Sequence, residues 1–201
     1  MALPVLQSRA CIVMDRFYTY WDSPIGRLVL ASDGKSLTGL YTGRLNEEAQ
    51  PESSWLLDDD AYPFSETKHQ LTLYFTKKLT HFDLPLNPIG TEFQKSVWKE
   101  LLNIPYGTVI SYGELARRLD NAKAVRAVGL ANGRNPISII IPCHRVIGAD
   151  GSLTGYGGGL PRKKSLLMLE GYIGQLQFQP QSLDSEITTG EIRERRRRID
   201  L

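Results

Sequence analysis

Seven residues, Leu84-Pro85-Leu86-Asn87-Pro88-Ile89-Gly90, constrain this chain more than any others. Two prolines so close together remove two backbone donors and push the residues before them out of the helical region, so no regular element runs through. The segment marks a boundary, with one unit before it (1–86), another after it (87–175) and a polar tail (176–201).

Before the boundary the pattern is that of a small sheet. Phe17–Trp21 is an aromatic run, Ser23-Pro24-Ile25-Gly26 a turn, and Leu28–Ala31 a second apolar run. Asp33-Gly34 signals a hairpin, which leads into a third strand at Leu37–Tyr41. Residues 43–63 read as a polar loop with Asp58-Asp59-Asp60 exposed, and Ser65–Leu79 as a helix whose Leu71, Tyr74, Phe75 and Leu79 share a face.

After the boundary the pattern turns helical. Thr91 caps a helix carrying an apolar stripe of Phe93, Val97, Trp98, Leu101 and Leu102, where Trp98 reads as core rather than as a base-stacking residue. Ser111-Tyr112-Gly113-Glu114 has the form of a capping box and starts a short helix to Leu119; Val125–Asn132 forms a second, closed by Gly133. Two short helices around a tight turn resemble a helix-turn-helix, an arrangement also found in many proteins that never touch DNA. Ser138–Ile141 reads as a short buried strand running into Pro142-Cys143-His144-Arg145. Pro161 opens a final helix with Leu166, Leu167 and Leu169 inward and Gly171 as its stop. The expected fold is α+β: a small N-terminal β-sheet unit with a helix, packed on a mostly helical unit that contains the helix-turn-helix.

Bulk properties narrow the function. With 41% hydrophobic and 23% charged residues the chain has the composition of a soluble globular protein, and no apolar run approaches a membrane span. Met1–Leu6 lacks a basic n-region, so no secretion signal is expected; with only Cys11 and Cys143, a reducing cytoplasmic setting fits best. Two cysteines and three scattered histidines show no metal-ligand spacing, so no metal and no cofactor are expected. Residues 1–87 carry 8 Lys/Arg against 11 Asp/Glu, whereas 88–174 carry 11 against 6. The basic half suggests an anionic partner, although many basic faces are merely solvated.

Asn135-Pro-Ile-Ser-Ile-Ile-Ile-Pro-Cys-His-Arg-Val-Ile-Gly148 resembles the active-site segment of the O6-alkylguanine-DNA alkyltransferases. Gly90-Thr-Glu-Phe-Gln94, Val97-Trp98, Ile104-Pro-Tyr-Gly107, Ser111-Tyr112-Gly113, Arg126-Ala-Val-Gly129 and Gly155-Tyr-Gly-Gly-Gly159 match in the same order. The resemblance runs in register from about Gly90 to Gly171 and more loosely over Ser23–Leu40. It implies repair of DNA by irreversible, single-turnover transfer of an alkyl group from O6-alkylguanine, and from O4-alkylthymine, onto Cys143.

The chemistry asks for such residues. Displacement at an alkyl carbon needs a soft nucleophile, which a thiolate supplies, and a free thiol near pKa 8.5 needs a base or positive field to ionise. The resemblance implies that His144 acts on Cys143 through a water, with Glu170 behind the ring; the bland alternative is an inert buried core thiol. Tyr112 matches the tyrosine that approaches N3 of guanine, its ordinary explanation being a hydroxyl pinned at a helix start. The backbone at Cys143 and Val146 would read the base edge. Tyr156, Gly157 and Gly158 would close the pocket, with Gly157 where many members carry Ser. Lys163 matches a lysine near the site, otherwise a helix-surface residue.

The target atom lies inside double-stranded DNA, so the nucleotide must be turned out. Arg126 matches the arginine that enters the base stack, its alternative being a phosphate contact or a solvated helix arginine. Ala127, Gly129, Ala131 and Gly133 would let that helix approach the backbone, which the family does in the minor groove. Asn135 matches a hinge asparagine. A monomer is expected in solution, and no membrane partner. Competing readings are a helix-turn-helix regulator with an inert cysteine, a non-reactive relative that binds alkylated DNA, and a cysteine hydrolase. The tail's Arg195–Arg198 is offset by Asp184, Glu186, Glu191, Glu194 and Asp200, so only a slight contribution to DNA affinity is expected from it.

Overall fold

The computed structural model describes residues 16–43 and 48–172; Cys11 and the tail with Arg195–Arg198 lie outside the described residues. The fold is α+β, with a four-stranded sheet of order β3-β2-β1-β4 and one helix ahead of four further helices.

Strand β1 (Phe17–Ser23) pairs antiparallel with β2 (Gly26–Ser32), and β2 with β3 (Leu37–Tyr41). The first turn is tight because Gly26 adopts φ +105°, and Ser23 Oγ bridges it by donating to Gly26 O at 2.6 Å. Every residue from Leu28 to Ser32 is buried, because both faces of β2 are covered. Leu28 and Leu30 point into the main core, while Val29 and Ala31 pack with Ala49 and Trp55 on the other face.

The stretch expected to be loop also holds a strand, β4 (Leu56–Leu57), parallel to β1. Leu56 N donates to Arg16 O at 2.8 Å and Asp58 N to Tyr18 O at 3.1 Å. Two residues are too few to show alternation, and both leucines are exposed, so no apolar pattern marks them. Helix α1 (Phe64–Phe75) stops short of the expected Leu79. Lys77 N donates to Tyr74 O and Lys78 N to Leu73 O, a Schellman termination with Lys77 at φ 60° in the position glycine usually holds.

The linker is no loose tether. Leu37 N donates to Pro85 O at 2.8 Å and Asn87 N to Leu37 O at 2.9 Å, so the proline segment is pinned along β3. A single buried cluster then joins Leu28, Leu37, Phe64 and Tyr74 to Val97, Trp98, Leu115 and Ile139 across it.

Helix α2 (Glu92–Leu101) starts with a complete capping box: Gln94 N donates to Thr91 Oγ1 and Thr91 N to Gln94 Oε1. Val97, Trp98 and Leu101 are buried, and Trp98 Nε1 donates to Ala131 O at 2.8 Å, a core placement. Phe93 and Leu102 are exposed at 39% and 41%, so the expected stripe is narrower than its apolar spacing suggests. A two-residue strand, β5 (Ile110–Ser111), leads into α3 (Tyr112–Arg118), which packs on α4 (Val125–Gly133). Ser111 Oγ accepts from Glu114 N, but the Glu114 carboxylate turns to Arg117 and Arg118, leaving half a capping box. Gly133 is the last residue of α4 rather than its stop.

The expected strand at Ser138–Ile141 is a buried turn. Only Ile137 bridges to β3, through Leu40 N to Pro136 O and Ser138 N to Leu40 O. Ile139 then takes φ 72°, because Asn135 holds both ends of the segment: its Oδ1 accepts from Ile137 N and its Nδ2 donates to Ile141 O. Apolar burial was legible here, but a side chain supplied the backbone partners that a ladder would have given. A 3₁₀ turn at Cys143–Arg145, strand β6 (Val146–Ile147) parallel to β5, and α5 (Leu160–Leu169) complete the fold. Pro161 lies in the first turn of α5 and Gly171 follows its end at φ 82°.

Candidate active site

Cys143 is the free cysteine of the described residues and is 4% exposed. Its position is set from both sides. Its N–H donates to Ile141 O at 2.8 Å, its carbonyl accepts from Asn132 Nδ2 at 3.3 Å, and the Asn135 bridge shapes the turn before it. Asn132 and Asn135 belong to α4 and the turn just after it, so the helix expected to meet DNA is tied directly to the thiol segment.

The 3₁₀ turn sends His144 inward. The ring is fully buried and its Nε2 lies 2.8 Å from Glu170 Oε1 at the end of α5. Since the carboxylate accepts, Nε2 carries the proton and the lone pair resides on Nδ1, which has no hydrogen-bond partner among the described residues. Glu170 is also bridged by Arg145, whose Nε donates to Oε2 and NH2 to Oε1, both at 2.9 Å, while NH1 donates to Ile104 O at 2.6 Å. Tyr74 OH adds a donor to Oε1 at 2.7 Å and Gly107 N one to Oε2 at 3.2 Å. Burial by itself would raise the Glu170 pKa, but the bonds from His144 and Arg145 outweigh it and hold the carboxylate ionised, well below the usual range.

The electrostatics place a weak acid beside a weak base. Burial pushes the Cys143 thiol up, while the Asn135 amide, the Lys163 ammonium and the backbone N–H groups of Cys143 and His144 pull it down. Burial lowers His144, with Glu170 opposing, so the ring is neutral at rest. Lys163 is fully buried, not on the surface; Nζ donates to Val146 O at 2.5 Å and Thr154 O at 2.6 Å. Burial brings its pKa down to about 8, against the pull of Cys143.

Tyr112 stands at the first position of α3, with Gly129 of α4 against its ring. Its hydroxyl is pinned to the glycine loop rather than to its own helix, donating to Thr154 O at 3.1 Å and Gly155 O at 3.2 Å. Burial and then the neighbouring Cys143 push the phenol up to about 12. Tyr156 is raised for the same two reasons. In that loop Gly158 is tightly enclosed, since a Cβ would collide with Thr42 Oγ1 and come within 2.8 Å of the Tyr156 ring. Gly157 is different: a Cβ there meets only Gly133 O at 3.6 Å, ordinary contact. An open cleft of about 420 Å³ reaches the loop, with Thr42, Gly133, Asn135, Ser138, Gly157 and Gly158 among its walls.

Thus Cys143, His144, Glu170, Tyr112, Asn135, Val146, Tyr156, Gly158 and Lys163 meet in one region. Arg126 and Ala127 do not touch it; they lie on the solvent face of α4, with Arg126 in no ion pair among the described residues. Sequence reasoning passed over four contributors. Arg145 lies inside the motif, which assigns it no task, and Asn132 lies inside the pattern of a short helix, where nothing marks it. Tyr74 matched an ordinary apolar face, from which nothing signals a carboxylate nearly a hundred residues away. Arg162 spans the units, donating to Ile25 O at 3.0 Å, Gly43 O at 3.3 Å and Gly158 O at 3.0 Å.

Among the described residues no group of three or more His, Cys, Asp or Glu could hold a metal ion, and no helix is long and apolar enough to cross a membrane.

Two family models match. One, described as the ribonuclease-like domain of 6-O-methylguanine DNA methyltransferase, covers residues 16–88; the other, its DNA binding domain, covers 92–172. The chain is 50% identical over 155 residues to a methylated-DNA–protein-cysteine methyltransferase of Methanosarcina acetivorans, covering 77% of this chain and 98% of that one. It is 54% identical over 153 residues to the protein of that name from Mycobacterium tuberculosis, covering 76% and 91%. A crystal structure of Mycobacterium tuberculosis OGT in complex with DNA superposes with TM-score 0.70 at 54% identity, covering 77% of this chain and 92% of that chain. With both domains matched in order around a buried Cys-His-Glu arrangement, the chain belongs to the 6-O-methylguanine DNA methyltransferase family.

Proposed function

We propose that this protein repairs DNA by moving an alkyl group from O6 of guanine to Cys143 Sγ, once per chain. The observation that carries the reading is the His144 ring: Nε2 is committed to Glu170, and Nδ1, on the residue after the thiol, keeps its lone pair.

The thiol proton passes to Nδ1 through a bridging water, and the ionised Glu170 stabilises the imidazolium. The Lys163 charge favours the thiolate. Sγ then attacks the alkyl carbon, forming the S–C bond as the C–O6 bond breaks and its electron pair leaves with guanine. The Tyr112 hydroxyl turns from the loop carbonyls to N3 of the base and offsets the charge that develops there. The proton taken from the thiol ends on the guanine. The backbone at Cys143 and Val146 reads the base edge, and Tyr156, Gly157 and Gly158 wall the pocket. The product is a thioether, which no group in the site can reverse, and the step draws on no cofactor.

DNA engages α4 through the minor groove. The exposed small residues Ala127 and Gly133 and the half-buried Gly129 allow close approach, and the exposed Arg126, in no ion pair among the described residues, takes the place of the extruded nucleotide. O4-alkylthymine offers an alkyl carbon in the same chemistry. The protein acts as a cytoplasmic monomer whose two units divide at about residue 87.

Intact mass after exposure to O6-benzylguanine, with peptide mapping, tests the proposal. One benzyl group on Cys143 is expected, and none in Cys143→Ala, which keeps its DNA affinity. A second group per chain, sustained turnover, or labelling at another residue would overturn the reading.

A further inference from the structure

The N-terminal unit contributes none of the residues that carry the chemistry above, yet one of its hydroxyls reaches the carboxylate behind His144. Tyr74 of α1 is fully buried and donates to Glu170 Oε1, the same oxygen that receives His144 Nε2 and Arg145 NH2. Its ring is wedged among Phe75, Phe82 and Tyr106, with centroids 5.3, 5.3 and 6.1 Å away. Packing alone would be served by phenylalanine, which fills that space without burying a hydroxyl. The hydroxyl therefore matters for what it does to the carboxylate.

Three donors on one oxygen share its charge. Each bond the oxygen accepts makes it a weaker acceptor for the others, so the Tyr74 bond loosens the hold of Glu170 on the imidazole proton and lowers the basicity of His144. The ring orientation is fixed at the same time, because the oxygen cannot move toward His144 without lengthening its bond to Tyr74.

We propose that Tyr74 is a positioning residue for alkyl transfer, through which the N-terminal sheet unit sets the orientation and basicity of His144. This rests on the reading in which His144 takes the Cys143 proton. The other charged or titratable groups facing this network are Arg145 on the 3₁₀ turn, Tyr106 after α2, Lys163 on α5 and Cys143 itself. All of them stay in place in a change confined to the Tyr74 hydroxyl, and of them Arg145 alone shares the oxygen that Tyr74 bonds.

The test is the pH–rate profile of single-turnover transfer from O6-benzylguanine to the full chain. In the wild type the acid limb reports protonation of His144 and is absent from His144→Ala. Tyr74→Phe should move that limb upward by roughly half a pH unit or more, about threefold slower transfer on the limb. Placing 3-fluorotyrosine at position 74 strengthens the donor without losing a contact, and should move the limb downward. If Tyr74→Phe fails to fold, the fluorinated chain decides alone. A limb abolished by His144→Ala but unmoved by either change at 74, or moved the same way by both, overturns the inference. A limb that survives in His144→Ala overturns the reading of His144 itself.

Discussion

Removing Arg145 should cost more than removing any surface charge, and the loss should depend on pH in a defined way. In Arg145→Met the Glu170 carboxylate keeps Tyr74, His144 and Gly107 but loses both guanidinium bonds, and Ile104 O loses its donor. The side chains concerned are 8% and 0% exposed, so water does not replace what is lost. Breaking a buried pair from one side costs about 3–5 kcal/mol. For a chain of this size that corresponds to a fall in Tm of roughly 6–20 °C. The sign with pH follows from Glu170. Its folded pKa lies below the unfolded value of about 4.3, so the stabilisation is complete above that value and is lost as pH falls through the folded pKa. Without Arg145, burial is opposed by fewer bonds and the carboxyl binds its proton more readily in the folded state than in the wild type, which favours the variant as pH falls. The gap between wild type and variant in thermal unfolding should therefore be widest near neutral pH and narrow toward about pH 4. A fall of less than about 2 °C, or a gap equal at both pH values, would refute the countercharge argument.

Arg126→Ala should slow repair of alkylated duplex DNA while leaving transfer from O6-benzylguanine unchanged; equal loss on both substrates would mean that Arg126 shapes the pocket. Gly158→Ala should slow transfer from both substrates and cost about 1–3 kcal/mol in denaturant unfolding, as expected for overpacking. Thr42→Ala should restore part of that loss, because Thr42 Oγ1 is the atom the new Cβ meets; no restoration would place the strain elsewhere. Lys163→Met removes the cation beside Cys143, so the thiol titrates higher and the alkaline limb of the pH–rate profile moves up. An unmoved limb would show that Lys163 serves only as a brace between Val146 and Thr154.

The legible parts of this protein were those written over several consecutive residues. The hairpin at Ser23–Gly26, the Thr91 cap, the Pro161 start of α5 and the paired short helices each have a local cause, and each stands where expected. Strands β4, β5 and β6 were missed because each is two residues long and exists only through its partner. The Ser138–Ile141 turn was misread because its apolar run reports burial, which strands and buried turns share. The end of α1 was missed because Lys77 holds a conformation in which glycine is the usual signal.

The site divides the same way. The motif around Cys143, and the in-register segments that flank it, singled out Cys143, His144 and Glu170, and the fold buries these three together. Sequence by itself thus determined the α+β class and the family chemistry. Tertiary structure alone decided the rest: that Lys163 is buried against Val146 and Thr154, that Arg145 and Tyr74 complete the shell of Glu170, and that Arg162 fastens the glycine loop to the N-terminal unit. These depend on side chains meeting across 9 to 137 residues of chain. No local preference encodes such meetings, since a buried polar atom takes whichever partner the packing of the core brings to it.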